Sequence, residues 1–160
     1  MIRKAKVSDA KSIVYINVFD WKKEYKNIFP KEFLDGLDPK SEKNIKRCIE
    51  DINQYIVYEL NKKVVGFAKY GINKKGYDDS YAEIYMLYIH NNYKQKGIGT
   101  KLVNYVFNKL RNEYKHVLIS TLKANSANVF YKKIGGKKVG ESKFEIKNKV
   151  YLENVYVYDL

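Results

Sequence analysis

A run of apolar and aromatic residues at positions 81–89 leads into a glycine-containing turn and then into an amphipathic helix. The run has the length and composition typical of a buried strand. Gly97 and Gly99 stand in the turn, where glycine lets the backbone bend tightly and approach a ligand. Beyond the turn, apolar residues from Leu102 to Leu110 recur on one helical face. This order predicts an anion-binding site, because unpaired amides and the positive end of the helix dipole meet at the start of a helix.

Two common phosphate-binding motifs do not fit this turn. A dinucleotide-binding fingerprint requires a third glycine where Leu102 stands, and an acidic residue near position 119, where the chain is apolar. A P-loop requires Gly-Lys-Ser/Thr, whereas Gly136-Lys137 is followed by Lys138. The turn therefore predicts a phosphate site of another kind, and a bare turn that binds nothing stays open as the alternative.

The pattern of the remaining chain predicts the fold class. Both helix-linked and hairpin-linked strands occur, and this mixture predicts an α+β fold with helices on the faces of a mixed sheet. Asn61-Lys62 is expected to form a tight hairpin, and Asn125 or Ser126 is expected to cap a short helix. Strands are predicted at 2–7, 54–60, 63–71, 81–89, 116–121 and 149–160, and helices from Ser8 toward Pro30, around 45–52, after the glycine turn and before Gly135.

The chain carries a net charge of +13, from 31 basic and 18 acidic residues. Such a charge attracts polyanions, among them nucleic acid and phosphorylated cofactors. Only Arg3, Arg47 and Arg111 are arginines, and base-specific readout of nucleic acid favours arginine. We therefore expect no specific nucleic-acid partner, only weak and salt-sensitive binding of DNA or RNA. Two explanations of the net charge stay open: that it serves a function, and that it only reflects a lysine-rich composition.

Length and cysteine content exclude further classes of protein. A chain of 160 residues suits a single domain, expected over residues 1–160. No apolar run approaches the roughly 18 residues of a membrane span, and the first residues lack the apolar centre of a signal peptide. The single Cys48 excludes an internal disulfide and a cysteine-rich metal site. We expect a cytoplasmic protein with no metal and no membrane partner.

The segment 94–99, Lys-Gln-Lys-Gly-Ile-Gly, resembles the phosphate-binding turn of the GCN5-related N-acetyltransferase (GNAT) family, which reads Arg/Gln-x-x-Gly-x-Gly/Ala. Lys94 stands where arginine or glutamine is usual. The resemblance extends over residues 21–37, 83–93 and 125–136, in the order of the family. It implies an acetyl-CoA-dependent acetyltransferase with a central mixed, largely antiparallel sheet of about six to seven strands, flanked by about four helices.

The resemblance also implies how acetyl-CoA binds. The backbone of residues 87–89 would pair with the pantetheine arm as an added strand does, and the amides from Gln95 to Thr100 would bind the pyrophosphate. The cofactor would lie in an opening between the strands 81–89 and 116–121. The implied cofactor-binding residues are Leu87, Tyr88, Ile89, Lys94, Gln95, Lys96, Gly97, Ile98, Gly99, Thr100, Asn125, Asn128 and Tyr131.

Two residues are implied to be catalytic. A free alkylammonium has a pKa near 10.4, so forming the reactive neutral amine at pH 7 costs about 4.6 kcal/mol. Glu83 stands where several family members place a glutamate that takes up this proton, directly or through water. A structural glutamate is the alternative at that position. Tyr131 matches the general acid that protonates the leaving thiolate, although it is one of 16 tyrosines and packing on a helix stays open.

The acceptor is less constrained than the cofactor. Trp21, Tyr25 and Phe29 either belong to the core or line the acceptor pocket beside Glu83, because the first helices of the family cover that side. Small amines and peptide N-termini are favoured over polyamines, since the positive chain repels polycations. A non-catalytic CoA-binding sensor and a basic nucleic-acid-binding module are the alternatives to direct transfer in a ternary complex. A homodimer that pairs along the tyrosine-rich last strand also stays open.

Overall fold

A computed structural model describes the whole chain, residues 1–160. Strands and helices follow one another in the order that the sequence pattern predicts, with one additional short helix. The strands are β1 (Ile2–Lys4), β2 (Tyr55–Leu60), β3 (Lys63–Ile72), β4 (Tyr81–Ile89), β5 (His116–Leu122), β6 (Lys137–Ile146) and β7 (Lys149–Asp159), and the helices are α1 (Ala10–Glu24), α2 (Lys31–Asp35), α3 (Glu42–Glu50), α4 (Ile98–Leu110) and α5 (Asn128–Lys133).

The seven strands form one sheet in the order β1-β2-β3-β4-β5-β7-β6. The pairs β1–β2, β2–β3, β5–β7 and β6–β7 are antiparallel. Strands β4 and β5 run parallel, with residues 81–84 in register with residues 116–119. This arrangement confirms the predicted α+β fold with a mixed, largely antiparallel sheet. The strand count lies within the predicted range, and α2 brings the helices to five.

The chain divides into two compact units, one formed by residues 1–69 and 86–105 and the other by residues 70–85 and 106–160. In the first unit, buried side chains of α1 and α3 pack with those of β2 and β3. Cys48 is part of this core and is only 3% exposed. This cysteine is therefore a buried packing residue.

The core of the second unit is built around β5 and β7. Val117, Leu118 and Tyr156 have no exposed surface, and Ile119 is 2% exposed. Burying side chains of this size is the main source of stability in a domain. Because β5 pairs with β7 along its whole length, the elements that flank these strands are held at fixed positions.

The hairpin between β2 and β3 forms as predicted. Asn61 and Lys62 both have left-handed backbone conformations, with φ of 50° and 62°. A two-residue hairpin favours this conformation because its twist matches that of the strands. Asparagine tolerates it well, whereas a lysine there is uncommon.

Several predicted boundaries are wrong. Strand β1 ends at Lys4, and α1 ends at Glu24 rather than continuing toward Pro30. The helix α5 begins at Asn128 with Ala127 as its N-cap, two residues after Asn125, whose side-chain oxygen accepts a hydrogen bond from the Ala127 amide.

The last strand is not an open edge. Strand β7 pairs with β5 on one side and with β6 on the other, so its backbone hydrogen bonds are used within the sheet. The expectation that this strand pairs across a homodimer is therefore wrong, and β6 is the edge strand at that end. No helix of the chain has the length and apolar character needed to cross a membrane.

Candidate active site

The glycine turn lies between β4 and α4 and has the conformation of an anion site. Gln95 and Gly97 both have left-handed backbones, with φ of 61° and 75°, and α4 begins directly afterwards at Ile98. A Cβ atom added to Gly97 would meet no other atom within 4 Å, so the space in front of this residue is open. The first amides of a helix have no acceptor within the helix. The residues from Gln95 to Thr100 are therefore arranged as an anion site requires.

Lys94, the first residue of this turn, is bound to α1. Its Nζ donates hydrogen bonds to Asp20 Oδ1 at 2.5 Å and to Glu24 Oε1 at 2.8 Å. Burial alone would lower the pKa of Lys94, but its two carboxylate partners hold that pKa above the ordinary value. The lysine is therefore charged and committed to helix α1. Sequence analysis missed both carboxylates, although their spacing of four residues places them on one helical face.

The aromatic residues of the first helical segment form one cluster. The Trp21 ring lies 5.4 Å from Phe29 and 5.1 Å from Tyr25, measured between ring centroids. Tyr25 and Phe29 are buried, at 6% and 4% exposure, whereas Trp21 is half-buried. Trp21 Nε1 donates a hydrogen bond to the Tyr88 hydroxyl at 2.8 Å and so joins α1 to β4. The structure supports the core assignment for Tyr25 and Phe29 and leaves Trp21 partly accessible.

Tyr131 lies on α5 and is 7% exposed. Its ring stacks on Tyr156 at a centroid distance of 6.0 Å and meets the edge of Phe130 at 5.3 Å. Its backbone carbonyl accepts a hydrogen bond from the buried Tyr158 hydroxyl at 2.7 Å. Ring and backbone are thus both held by neighbours, which fixes the direction of the side chain.

Asn128 holds the start of α5 in place through its side-chain amide. Its Oδ1 accepts hydrogen bonds from Asn154 Nδ2 at 2.9 Å and from the Tyr156 hydroxyl at 2.7 Å. Its Nδ2 lies within hydrogen-bond distance of three backbone carbonyls, those of Leu122, Lys123 and Asn125. An amide has two lone pairs on oxygen and two hydrogens on nitrogen, so this one is fully used within the chain. A contact between Asn128 and a cofactor stays a prediction.

Glu83 lies on β4 and is 5% exposed. Its Oε2 accepts a hydrogen bond from the Lys74 backbone amide at 2.7 Å. Burial disfavours the charged carboxylate and raises the pKa of Glu83. The Lys74 amide and nearby lysines act in the opposite direction, but their effect is smaller. A carboxyl group with a raised pKa is a better proton acceptor once it is ionised. The geometry therefore fits a general base as well as a structural glutamate.

The loop before β4 is fixed by Asn73. Its Nδ2 lies within hydrogen-bond distance of the carbonyls of Tyr77, Asp78 and Tyr81, and its Oδ1 accepts a hydrogen bond from the Tyr77 amide. These bonds define the path of the loop from which Lys74 reaches Glu83. The role of Asn73, like those of Asp20 and Glu24, was not predicted from the sequence, since it depends on contacts made by the folded loop.

Comparison with known proteins supplies an independent view of the chain. The family model described as Acetyltransferase (GNAT) family matches residues 18–136. An uncharacterized N-acetyltransferase, YuaI of Bacillus subtilis (strain 168), is 26% identical over 151 residues, which is 91% of this chain and 84% of that protein.

Solved structures have the same fold. A PaiA N-acetyltransferase from Thermoplasma acidophilum in complex with coenzyme A aligns with a TM-score of 0.76 at 18% identity, over 96% of both chains. A ribosomal-protein-alanine N-acetyltransferase from Brucella melitensis aligns with a TM-score of 0.77 at 18% identity, over 100% of this chain and 99% of that one. At this level of identity, the likeness shows the fold alone.

Proposed function

This chain belongs to the acetyltransferase (GNAT) family, and we propose that it transfers the acetyl group of acetyl-CoA directly to a primary amine within a ternary complex. The observation that carries the proposal is the turn at 94–100, whose left-handed backbone and open space before Gly97 suit the diphosphate of a coenzyme. The relatives described above are named N-acetyltransferases, which supports a nitrogen acceptor.

The residues of the turn bind the cofactor. The amides from Gln95 to Thr100 hold the pyrophosphate, and the backbone of Leu87 and Ile89 pairs with the pantetheine arm. Acetyl-CoA supplies an activated thioester when it is bound. Holding amine and thioester together accounts for much of the acceleration, because effective molarities of well-oriented groups reach about 10⁵ M or more.

Proton transfers accompany formation of the C–N bond and cleavage of the C–S bond. Glu83 accepts the proton of the acceptor ammonium at its carboxylate, which lowers the cost of forming a neutral amine. Tyr131 donates its hydroxyl proton to the departing sulfur, and the second proton that the nitrogen loses as the amide forms restores the Tyr131 hydroxyl. The buried Tyr131 ring, held by Tyr156 and Phe130, suits a group that must keep one direction. Residues 1–160 act as one acetyltransferase domain, since the family match at 18–136 draws on both compact units.

The kinetic order of the reaction tests the ternary complex. Initial rates measured while both substrates are varied should give intersecting double-reciprocal lines, and mass spectrometry should detect the N-acetylated amine. Parallel lines would indicate an acetylated enzyme and contradict direct transfer.

Cys48→Ala is the matched control for such a covalent route. Burial raises the pKa of the Cys48 thiol to about 11, so it is a poor nucleophile at neutral pH. We expect this variant to keep its activity.

A separate outcome bears on the non-catalytic alternative. If the wild-type protein binds CoA but shows no turnover that depends on an amine, the protein is a CoA-binding sensor rather than an enzyme.

A further inference from the structure

A cavity lies within the unit formed by residues 1–69 and 86–105, and no residue of the turn at 94–100 lines it. Its volume is about 810 Å³, which falls in the range of small-molecule sites. The first half of α1, the segment before α3, the β2–β3 hairpin and the end of β4 contribute its walls. Ile16, Ile45 and Val64 supply apolar surface, and Ser8 and Ser12 supply hydroxyl groups.

One wall of this cavity consists of aromatic rings. The rings of Tyr15 and His90 are stacked, with centroids 6.4 Å apart and planes inclined by 12°. Phe19 does not line the cavity but stacks on both rings, at 5.9 Å from Tyr15 and 5.8 Å from His90. Tyr15 is 43% exposed, so its ring is available to solvent. A flat ring of a ligand gains stacking energy on such a surface.

The charge around the cavity is positive. Arg3 adds no free positive charge, because it binds two carboxylates, Asp9 at 2.7 Å and Glu59 at 2.6 Å. Four lysines from three separate segments form no ion pair within the chain, and Glu42 is the remaining carboxylate of the wall. A concave surface lined by one sign of charge concentrates anions. These lysines are Lys11, Lys40, Lys62 and Lys63.

The cations of the cavity wall are lysines, and this indicates which kind of anion the cavity binds. Arginine is the preferred partner of planar carboxylates, and the one arginine of the cavity is already committed to Asp9 and Glu59. Lysine acts as a point charge and binds phosphate readily. The unpaired cations therefore favour a phosphate over a carboxylate.

The hairpin places Lys62 and Lys63 in solvent, where both are exposed. The φ of Lys62, 62°, is the left-handed conformation that a two-residue hairpin favours, and glycine is the best residue at that place in the turn.

We propose that this cavity binds a nucleoside phosphate, with the base stacked on the Tyr15–His90 wall and the phosphate held by Lys62, Lys63 and the facing lysines. The site is separate from the turn that we assign to acetyl-CoA, and the inference does not depend on acetyl transfer. Its location at the end of β4 places a second ligand against His90, close in sequence to the cofactor turn.

Calorimetric titration of AMP tests the proposal, both on the unliganded protein and in the presence of saturating CoA, which fills the turn. We expect saturable binding under both conditions. Lys62→Gly/Lys63→Ala should raise the dissociation constant for AMP about tenfold or more, and glycine at position 62 suits the turn, so the hairpin stays folded. Tyr15→Ala should weaken AMP but leave ribose phosphate unchanged, because only the base stacks.

Lys132→Ala/Lys133→Ala is the matched control, since it removes the same charge from an exposed lysine pair on α5. We expect its affinity for AMP to equal that of the wild type. No saturable AMP binding, or equal losses in both lysine variants, would overturn the proposal. Much tighter binding of a single-stranded oligonucleotide than of AMP would also overturn it, in favour of a nucleic-acid surface.

Discussion

The backbone amide of Lys74 donates a hydrogen bond to Glu83 Oε2 at 2.7 Å, and so a loop amide holds the carboxylate of a buried strand residue. A neutral glutamine can accept the same bond through its side-chain oxygen. The interaction therefore orients the side chain without deciding its charge. This contact therefore does not require a carboxylate at position 83, whereas the proposed role as a general base does.

The first prediction separates stability from activity at Glu83. Burial raises the pKa of this carboxyl in the folded state, so the folded protein is disfavoured where Glu83 is ionised, above that pKa. Glu83→Gln should be more stable than the wild type at neutral and alkaline pH. This advantage should shrink as pH falls from the raised folded-state pKa to the unfolded-state pKa, and it should be absent below the latter, where both states are protonated. Urea unfolding across this pH range measures the difference.

The same variant should lose most of its turnover. A general base contributes about 100-fold or more to rate, and the acidic limb of the wild-type pH profile should rise with ionisation of Glu83. Retained turnover with an unchanged acidic limb would make Glu83 a structural residue.

The second prediction concerns Tyr131. Tyr131→Phe should lower kcat about 100-fold while the KM for acetyl-CoA changes little, because the ring packs in both states and the hydroxyl acts only in the transition state. Steady-state kinetics measures both constants. Tyr77→Phe, an exposed tyrosine on a loop, is the control and should be unchanged. An unaltered kcat in Tyr131→Phe would assign this tyrosine to packing.

The third prediction concerns the ion pairs of Lys94. Lys94→Met leaves the carboxylates of Asp20 and Glu24 without their cation beside the turn. We expect a loss of about 1–2 kcal/mol in unfolding free energy, because Asp20 is buried whereas Lys94 and Glu24 are only partly buried. CoA affinity should fall as well, since unpaired carboxylates repel a diphosphate. Chemical denaturation and calorimetry measure the two effects.

Lys96→Met is the matched control for that variant. Lys96 is exposed, and its Nζ lies 5.5 Å from the centre of the Tyr93 ring rather than near a carboxylate. Its stability should match the wild type. If Lys94→Met and Lys96→Met lose the same unfolding free energy, positive charge in general stabilises this turn, rather than the ion pairs that link Lys94 to α1.

The fourth prediction compares two glycines of similar backbone conformation. Gly97 and Gly76 have φ of 75° and 81°, and an added Cβ meets nothing within 4 Å at either. Alanine should therefore cost each about 1 kcal/mol of stability through backbone strain. Only Gly97→Ala should also weaken CoA binding, about tenfold or more, because its Cβ enters the space that the pyrophosphate needs. Equal CoA affinity in the two variants would remove Gly97 from the binding site.

The sequence predicted the elements that depend on local pattern. The strand 81–89, the turn with Gly97 and the helix after it form as predicted, because strand composition, glycine and helical spacing act over a few residues. The Asn61-Lys62 hairpin follows from the same kind of local rule. The arrangement of the sheet was predicted only as a class, since strand order depends on contacts between distant segments.

Residues whose role depends on tertiary contacts were not found from the sequence. Asp20 and Glu24 read as ordinary polar residues of α1, and only the fold brings Lys94 to them. The hydrogen bonds that Asn154 and Tyr156 of a distant strand donate to the Asn128 amide oxygen were likewise not predicted from the sequence. The sequence of one segment does not show which side chains of other segments will bind to it in the fold.

Release of free thiol from acetyl-CoA, followed in real time with a panel of primary amines, tests the proposed function most directly. The account predicts slow release without an acceptor and a large, saturable increase with at least one amine, together with an N-acetylated product. It also predicts that Tyr131→Phe and Glu83→Gln abolish most of this increase. Thiol release that is independent of every amine tested, or an increase that both variants retain in full, would contradict the account.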